Sequence, residues 1–197
     1  MSAAKREITR ADIMPMADYA AVRKQRRAEA SAIKKHRRVE VGPFATLYFE
    51  NYDTMWIQVH EMLYIEKGGE EQVQGELAAY NPLVPKGNEL VATLMFEIPD
   101  PVRRDRELHR LGGVEGMVNL KVGKETIAAV PEDDIERTRS DGKTSSIHFL
   151  HFPFSAAQVA RFRDATVEVL IGISHPNYGH LAVLPAETRA ALAGDFD

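Results

Sequence analysis

The sequence contains no cysteine among its 197 residues. This absence excludes disulfide bonds, thiolate nucleophiles, Fe–S clusters and cysteine-ligated zinc within the chain. A metal bound by this chain would have to be held by histidine, by carboxylates or by backbone oxygen.

Long apolar runs are also missing. The first ten residues, MSAAKREITR, are charged and lack the apolar stretch of a signal peptide. The best apolar segment, TVEVLIGIS, is far shorter than the roughly 18 residues that a membrane span needs, and it contains Glu168. We therefore expect a cytoplasmic protein without a membrane segment.

Standard nucleotide-binding and catalytic motifs are absent as well. No segment matches a P-loop or has the G-x-G-x-x-G spacing. GISHP lacks the second glycine of a nucleophile elbow, so Ser174 is expected to be a strand-end hydroxyl. VHEML has one histidine, whereas the zinc motif H-E-x-x-H has two. The motifs alone therefore indicate no reaction.

Charge is distributed unevenly along the chain. The net charge is −4, yet residues 1–38 contain eleven Lys and Arg against four Asp and Glu. Such a split is typical of a basic helix that docks on an acidic surface, either its own body or a partner, or of nucleic-acid binding. Docking is favoured because no aromatic residues are interleaved with the basic residues from 23 to 38 for base stacking.

Helix and strand patterns alternate irregularly, without a βαβ repeat, which predicts a single-domain α+β fold with a mixed or mostly antiparallel sheet packed with helices. Residues 1–38 form its basic N-terminal helical segment and residues 39–197 its body. Helices are predicted over 17–38, 54–66, 70–80, 101–113, 155–165 and 185–194, and strands over 44–51, 89–99, 116–122, 125–131, 146–152, 166–174 and an edge segment within 175–184. The strands over 116–122 and 125–131 are predicted to form a hairpin across Gly123 and Lys124, and a charged loop is predicted over 131–143.

The helix over 54–66 places an acidic residue in an apolar setting. The segment also alternates imperfectly as a strand, but thirteen residues is long for a strand, so a helix is favoured. As a helix it is apolar nearly all round, which is typical of a buried helix, and Gln58 and Glu61 share one face of it. An unpaired buried carboxylate costs several kcal/mol, so Glu61 needs a partner. A structural ion pair with a basic residue such as Arg26 is the favoured interpretation, and a ligand-facing Glu61 is the alternative.

Two histidines three residues apart lie in the strand segment KTSSIHFLHFPF. Because side chains alternate along a strand, His148 points with Leu150 and Phe152, whereas His151 points to the opposite face. The two cannot bind one metal ion together without a bulge. His175, at the end of the next strand, is predicted to bond a nearby carbonyl or to serve as a ligand.

Glu61, His148 and His175 together provide two histidines and one carboxylate. This is the ligand type that non-haem iron uses. The sequence therefore offers these three residues as candidate metal ligands, with Gln58, Tyr178 and Arg26 as candidate ligand-binding residues.

The chain resembles a bacterial family called domain of unknown function 3501 over about residues 8–195. The resemblance is carried by RRVEVGPFATLYFENYDT, QVHEML, ELAAYNPLVPKGNEL, KTSSIHFLHF and HPNY. The pattern of that family implies roles for Gln58, Glu61, Tyr80, Asn81, His148, His175 and Tyr178, and it tends to have arginine where His151 stands here.

The resemblance also implies a cellular compartment and a set of neighbouring genes. Members of this family look like bacterial cytoplasmic proteins that are often encoded beside rubrerythrin and an Fe–S oxidoreductase, which implies a role near redox or peroxide metabolism. We therefore expect an accessory protein of a redox or peroxide-stress system that holds a metal or small ligand. The alternatives are an interaction module that docks a redox partner through its basic helix and, less favoured, a nucleic-acid-binding protein.

Overall fold

The computed structural model describes residues 5–132 and 137–197, so residues 133–136 of the predicted charged loop lie outside the described residues. Within these ranges the chain forms six α-helices and nine β-strands, which confirms the α+β class. The helices are α1 (Met16–Lys35), α2 (Tyr52–Glu66), α3 (Gly69–Tyr80), α4 (Pro101–Arg110), α5 (Ala156–Arg163) and α6 (Ala186–Ala193). The strands are β1 (Arg38–Val41), β2 (Ala45–Glu50), β3 (Glu89–Phe96), β4 (Val118–Val122), β5 (Glu125–Ala128), β6 (Val130–Pro131), β7 (Ile147–Pro153), β8 (Val169–His175) and β9 (Tyr178–Val183).

The strands form two sheets rather than one. The first sheet has the order β1-β2-β3-β7-β6 and the second has the order β5-β4-β8-β9. Every pairing between these strands is antiparallel. The predicted hairpin across Gly123 and Lys124 is confirmed as β4–β5, and the predicted last strand is β9, at the edge of the second sheet.

The main hydrophobic core lies where the two sheets face each other. Alternate side chains of the central strands point into it, and helices α4, α5 and α6 add Leu108, Phe162 and Leu192. Each such leucine or phenylalanine contributes about 1.5–3 kcal/mol relative to an exposed side chain. The sheet residues of this core include Val41, Leu47, Phe49, Leu90, Leu94, Leu120, Leu150, Phe152, Ile171 and Ile173.

A second core covers the opposite face of the first sheet. Helix α1 packs on α2, and α2 packs on α3. The residues of this helical layer and of β3 that meet in the second core include Met55, Val59, Leu63, Val73, Leu77 and Val91. The first sheet therefore separates the helical layer α1–α3 from the second sheet. In the described part of the chain, no helix is both long and apolar enough to cross a membrane.

Helix α1 is shorter than predicted at its C-terminal end. The prediction extended it to residue 38, but it ends at Lys35 and β1 begins at Arg38. Arg37 between them is buried, and it donates to the carbonyls of Phe49 and Glu50 and pairs with Asp195. These tertiary bonds override the helix propensity of a run of basic residues.

Helix α2 begins as its sequence suggests. Asn51 caps it by accepting a hydrogen bond from the Thr54 backbone nitrogen at 2.9 Å, and Thr54 Oγ1 accepts from the Asn51 backbone nitrogen at 2.9 Å. Asn51 and Asp53 are both of residue types that can cap a helix at this point in the chain. Since Asn51 takes this role, the Asp53 side chain is free for another contact.

Candidate functional site

Glu61 lies between α1 and α2, where both of its oxygens are occupied. Oε1 accepts from Tyr19 Oη at 2.7 Å and from Arg23 Nε at 2.8 Å, and Oε2 accepts from Arg23 Nη2 at 2.8 Å. The Arg23 bonds hold the pKa of Glu61 below its usual range. The expected ion pair is present, but the predicted partner, Arg26, is wrong. Tyr19 and Arg23 are four residues apart on one face of α1, a signal that could have identified the partner.

His148 is fully buried on the inter-sheet side of β7, as the strand alternation predicted. Its Nε2–H donates to the Ser145 carbonyl at 2.9 Å, so Nδ1 carries the lone pair. Nδ1 lies 3.8 Å from Oε2 of Glu115, and neither of these two buried atoms has a hydrogen-bond partner in the part of the chain that the structure describes. Burial lowers the pKa of His148, which favours the neutral ring.

His175 uses both ring nitrogens at the turn between β8 and β9. Nδ1 accepts from the Asn177 backbone nitrogen at 3.1 Å, and Nε2 donates to the Gly112 carbonyl at 3.3 Å. This arrangement matches the predicted turn histidine that bonds a nearby carbonyl. A metal bound at either nitrogen would have to break one of these bonds.

The three candidate metal ligands do not meet. Glu61 is bonded within the helical layer, whereas His148 and His175 have separate partners on the other side of the first sheet. In residues 5–132 and 137–197, no group of three or more His, Asp or Glu residues is placed to hold a metal ion. The grouping predicted from ligand type therefore does not form.

Tyr178 and Gln58, two predicted ligand-binding residues, make internal contacts. The buried Tyr178 hydroxyl donates to the Val41 carbonyl at 2.7 Å and accepts from the backbone nitrogens of Phe44 and Ala45. It thereby fixes the turn between β1 and β2. Gln58 Nε2 donates to Tyr80 Oη at 3.5 Å, which links α2 to the end of α3.

Arg26, the third predicted ligand-binding residue, lines a cavity. We name it the α1–α2 cavity, because it lies between these helices and the N-terminal segment 5–12. Its volume is about 290 Å³. It is lined by Lys5, Asp12, Arg26, Glu29, Ala30, Ile33, Tyr52, Asp53, Trp56 and Ile57.

Trp56 is held firmly in the wall of the α1–α2 cavity. Its Nε1–H donates to the Asp12 carbonyl at 2.9 Å. The His60 ring packs on it with centroids 3.8 Å apart, and the Arg26 guanidinium lies 5.5 Å from its ring centroid. The indole is thus oriented by a hydrogen bond, a ring contact and a cation–π contact.

The charges of the α1–α2 cavity are mostly paired with each other. Lys5 Nζ lies 2.5 Å from Asp12 Oδ1 and donates to Tyr52 Oη at 3.3 Å. Arg26 Nη1 lies 3.0 Å from Glu29 Oε2. Asp53, also in the wall, makes no hydrogen bond and no ion pair with any described residue.

A second cavity of about 220 Å³ adjoins the first. The two share Lys5, Tyr52 and Asp53. The wall of the second cavity is more polar and includes the buried pair of Arg37 and Asp195. Asp53 therefore stands where the two cavities meet. Asp53 was not among the predicted site residues, because an acidic residue in the first turn of a helix ordinarily stabilises the helix end.

Comparison with known proteins places the chain in a family. The family model described as "Protein of unknown function (DUF3501)" matches residues 7–196. The chain belongs to this family. A crystal structure of a protein of unknown function from Burkholderia pseudomallei K96243 is 40% identical, covers 96% of this chain and 99% of its own, and superimposes with a TM-score of 0.89. No curated protein matches the chain.

One further residue of the predicted DUF3501 pattern supports the cavity indirectly. Asn81 Oδ1 accepts from the Ile8 backbone nitrogen at 2.7 Å, and its Nδ2 donates to the Ile8 carbonyl at 2.9 Å. Ile8 itself is buried. This pair of bonds anchors the N-terminal segment that supplies Lys5 and Asp12 to the cavity wall.

Proposed function

We propose that this protein binds a small organic molecule in the α1–α2 cavity. The observation that carries the proposal is the wall of this cavity, which combines Ile33, Trp56 and Ile57 with five charged side chains in a volume of about 290 Å³. Small-molecule sites are typically concave, mostly apolar and equipped with a few polar groups that orient the ligand.

The order of the wall also supports ligand binding. Trp56 is fixed by Asp12 and His60, and the segment that bears Lys5 is anchored by Asn81. A wall that is already ordered before binding loses little conformational entropy when the ligand arrives. This favours a preformed site over an accidental gap between helices.

A cavity-filling variant tests the proposal. Ala30→Phe places a ring in the cavity, whereas Ala21→Phe adds the same ring on the exposed side of α1. A library of fragment-sized compounds would be screened by ligand-observed NMR against all three proteins. We expect compounds that bind the wild type and Ala21→Phe but not Ala30→Phe. No binding to the wild type, or binding that Ala30→Phe leaves unchanged, would overturn the proposal.

The role in redox or peroxide metabolism, with rubrerythrin or an Fe–S oxidoreductase as partner, stays a prediction. It rests on the resemblance and not on a contact within the chain. Iron is not part of the proposed ligand, because the described His, Asp and Glu residues offer no group of three for it. An accessory protein of such a system is compatible with a small-molecule site.

The outer face of α1 favours a second function, which is docking of an acidic protein segment. Lys24, Arg27 and Lys35 are exposed on this face. Arg27 lies 4.0 Å from Glu61, which is already occupied by Arg23, and neither lysine forms an ion pair with a described residue. Such a cationic face attracts an acidic partner by charge complementarity.

Charge reversal tests this second function better than deletion of residues 1–38, because Tyr19 of α1 is completely buried. Lys24→Glu/Lys35→Glu would be compared with Lys121→Glu/Lys124→Glu, which makes the same charge change at exposed positions of the β4–β5 hairpin. We expect a synthetic Glu-rich helical peptide to bind the wild type and the hairpin variant, and the α1 variant to lose this binding. Equal binding of the peptide by all three proteins would contradict the docking function. So would tighter binding of single-stranded DNA than of the peptide by the wild type at the same salt concentration.

A further inference from the structure

The balance of charge in the α1–α2 cavity indicates the charge of its ligand. Its two cations, Lys5 and Arg26, each lie within ion-pair distance of a carboxylate, Asp12 and Glu29 respectively. The third carboxylate, Asp53, has no such partner among the described residues. Among the described residues, the cavity wall therefore has one negative charge in excess, and Asp53 is the group that carries it.

Asp53 is positioned to face a ligand rather than another side chain. Asn51 serves as the cap of α2, so Asp53 is not needed for that purpose. It is half-buried and lines both cavities at the point where they meet. A half-buried carboxylate without a hydrogen bond from a described residue has lost part of its hydration without gaining a donor in exchange, which leaves it as an acceptor for an incoming donor.

The apolar part of the wall lies next to this carboxylate. Ile57 and Trp56 are four and three residues after Asp53 on α2, and Ile33 of α1 closes the cavity from the other helix. Residues three and four apart share one face of a helix, so the carboxylate and the apolar side chains border the same space. A ligand that matches this wall has a cationic end and an apolar body.

We propose that the ligand of the α1–α2 cavity is an organic cation whose protonated nitrogen pairs with Asp53 and whose apolar body lies against Ile33, Trp56 and Ile57. This inference rests on the proposed small-molecule function and names its ligand class. An ammonium or amidinium group supplies the hydrogen-bond donors that the Asp53 carboxylate lacks. An anionic ligand would have to displace Asp12 from Lys5 or Glu29 from Arg26.

The protonation behaviour of Asp53 is consistent with this assignment. Burial raises the pKa of Asp53, while several positive charges, among them those of Arg37 and Lys5, partly oppose the rise. A bound cation favours the ionised carboxylate and lowers this pKa again. Affinity for a ligand that stays protonated should therefore be highest at neutral pH and fall as the solution becomes acidic enough to protonate Asp53.

Three probes with one apolar body separate the possible ligand charges. They are 2-phenylethylamine, 2-phenylethanol and 3-phenylpropionate, with affinities measured at pH 7 by ligand-observed NMR titration. We expect the amine to bind about tenfold or more tightly than the alcohol, the gain typical of a charge-assisted hydrogen bond. The carboxylate is expected to bind most weakly. Tighter binding of the carboxylate than of the amine would overturn the inference.

Asp53→Asn is the matching variant, since it removes the charge and keeps the side-chain shape. Asp18→Asn is its control, because Asp18 is an exposed acid in the first turn of α1 that does not line the cavity. We expect Asp53→Asn to weaken amine binding about tenfold while alcohol binding stays constant, and Asp18→Asn to change neither. Thermal melts of both variants would establish that they are folded.

The outcomes distinguish this inference from the function on which it rests. If all three probes bind equally, Asp53→Asn has no effect and Ala30→Phe abolishes binding, the small-molecule site stands and the cation inference fails. If Ala30→Phe leaves the binding of every probe unchanged, the site itself fails. Should Asp53→Asn unfold the protein, Asp53→Glu retains the charge, and loss of the preference for amine over alcohol in that folded variant would also count against the inference.

Discussion

At the scale of single residues, the two histidines of β7 lie on opposite faces of the strand and have different partners. His148 lies in the core between the sheets, bonded to the Ser145 carbonyl and facing Glu115. His151 lies on the other face of the strand, where Nδ1 contacts Glu89 at 2.9 Å and Nε2 contacts Glu132 at 3.4 Å. Both ring nitrogens of His151 thus contact carboxylates, an arrangement that favours the protonated ring.

His151 should make the stability of the protein depend on pH. The hydrogen bond to Glu89 raises the pKa of His151 above its ordinary value of 6.5. Its stabilisation is therefore fully present below about pH 6.5 and is lost as the pH rises through the raised folded-state pKa. At pH 6, we expect His151→Gln to lower the free energy of unfolding by about 1–2 kcal/mol. Urea denaturation at pH 6 and pH 9 measures this difference.

His151→Arg is the control for this prediction, because arginine keeps its charge at both pH values. The free energy of unfolding of His151→Arg, relative to that of the wild type, should therefore be higher at pH 9 than at pH 6. If the wild type's advantage in unfolding free energy over His151→Gln grew as the pH rose, the predicted direction of the pH dependence would be wrong.

At the scale of elements, the contact between α1 and α2 determines whether the basic helix is part of the body. Tyr19 is completely buried, and its hydroxyl joins Arg23 on the carboxylate of Glu61. The basic residues of α1 thus have two uses. Arg23 holds the helix in place, whereas Lys24 and Lys35 point outward.

Glu61→Gln should weaken this contact. An amide cannot accept the bidentate Arg23 pair as a carboxylate does, so we expect a loss of about 2 kcal/mol in the free energy of unfolding at pH 7. Because the pKa of Glu61 is lowered, its contribution is present above about pH 4.5 and is lost as the pH falls through the folded-state pKa. The gap between wild type and variant in urea denaturation should therefore shrink below pH 4.5.

Glu70→Gln is the comparison for Glu61→Gln. Glu70 forms an ion pair with Arg10 at 2.6 Å, but both side chains are exposed. Exposed pairs contribute little to stability. A loss of unfolding free energy in Glu70→Gln as large as that in Glu61→Gln would mean that the half-buried position of Glu61 does not matter.

At the scale of the whole molecule, the first sheet acts as a partition. The helical layer and the α1–α2 cavity lie on one side of it, and the inter-sheet core with His148 lies on the other. Glu61 belongs to the first side and His175 to the second sheet. No rearrangement of side chains alone brings these residues to one metal ion.

Much of the local structure follows from the sequence. Helix α2 was predicted from its length and apolar pattern, and the β4–β5 hairpin from Gly123 and Lys124. The opposite orientation of His148 and His151 followed from strand alternation. These features depend on neighbouring residues, so a local pattern is enough to determine them.

Only the tertiary structure decided which polar groups meet. Glu61 pairs with Arg23 rather than Arg26, and Lys5 reaches Asp12 and Tyr52. Asp53 has no such pair within residues 5–132 and 137–197, and it lines a cavity. The cause is physical. Such contacts join residues far apart in the chain, and their geometry depends on how α1, α2 and the first sheet pack, which no local pattern contains.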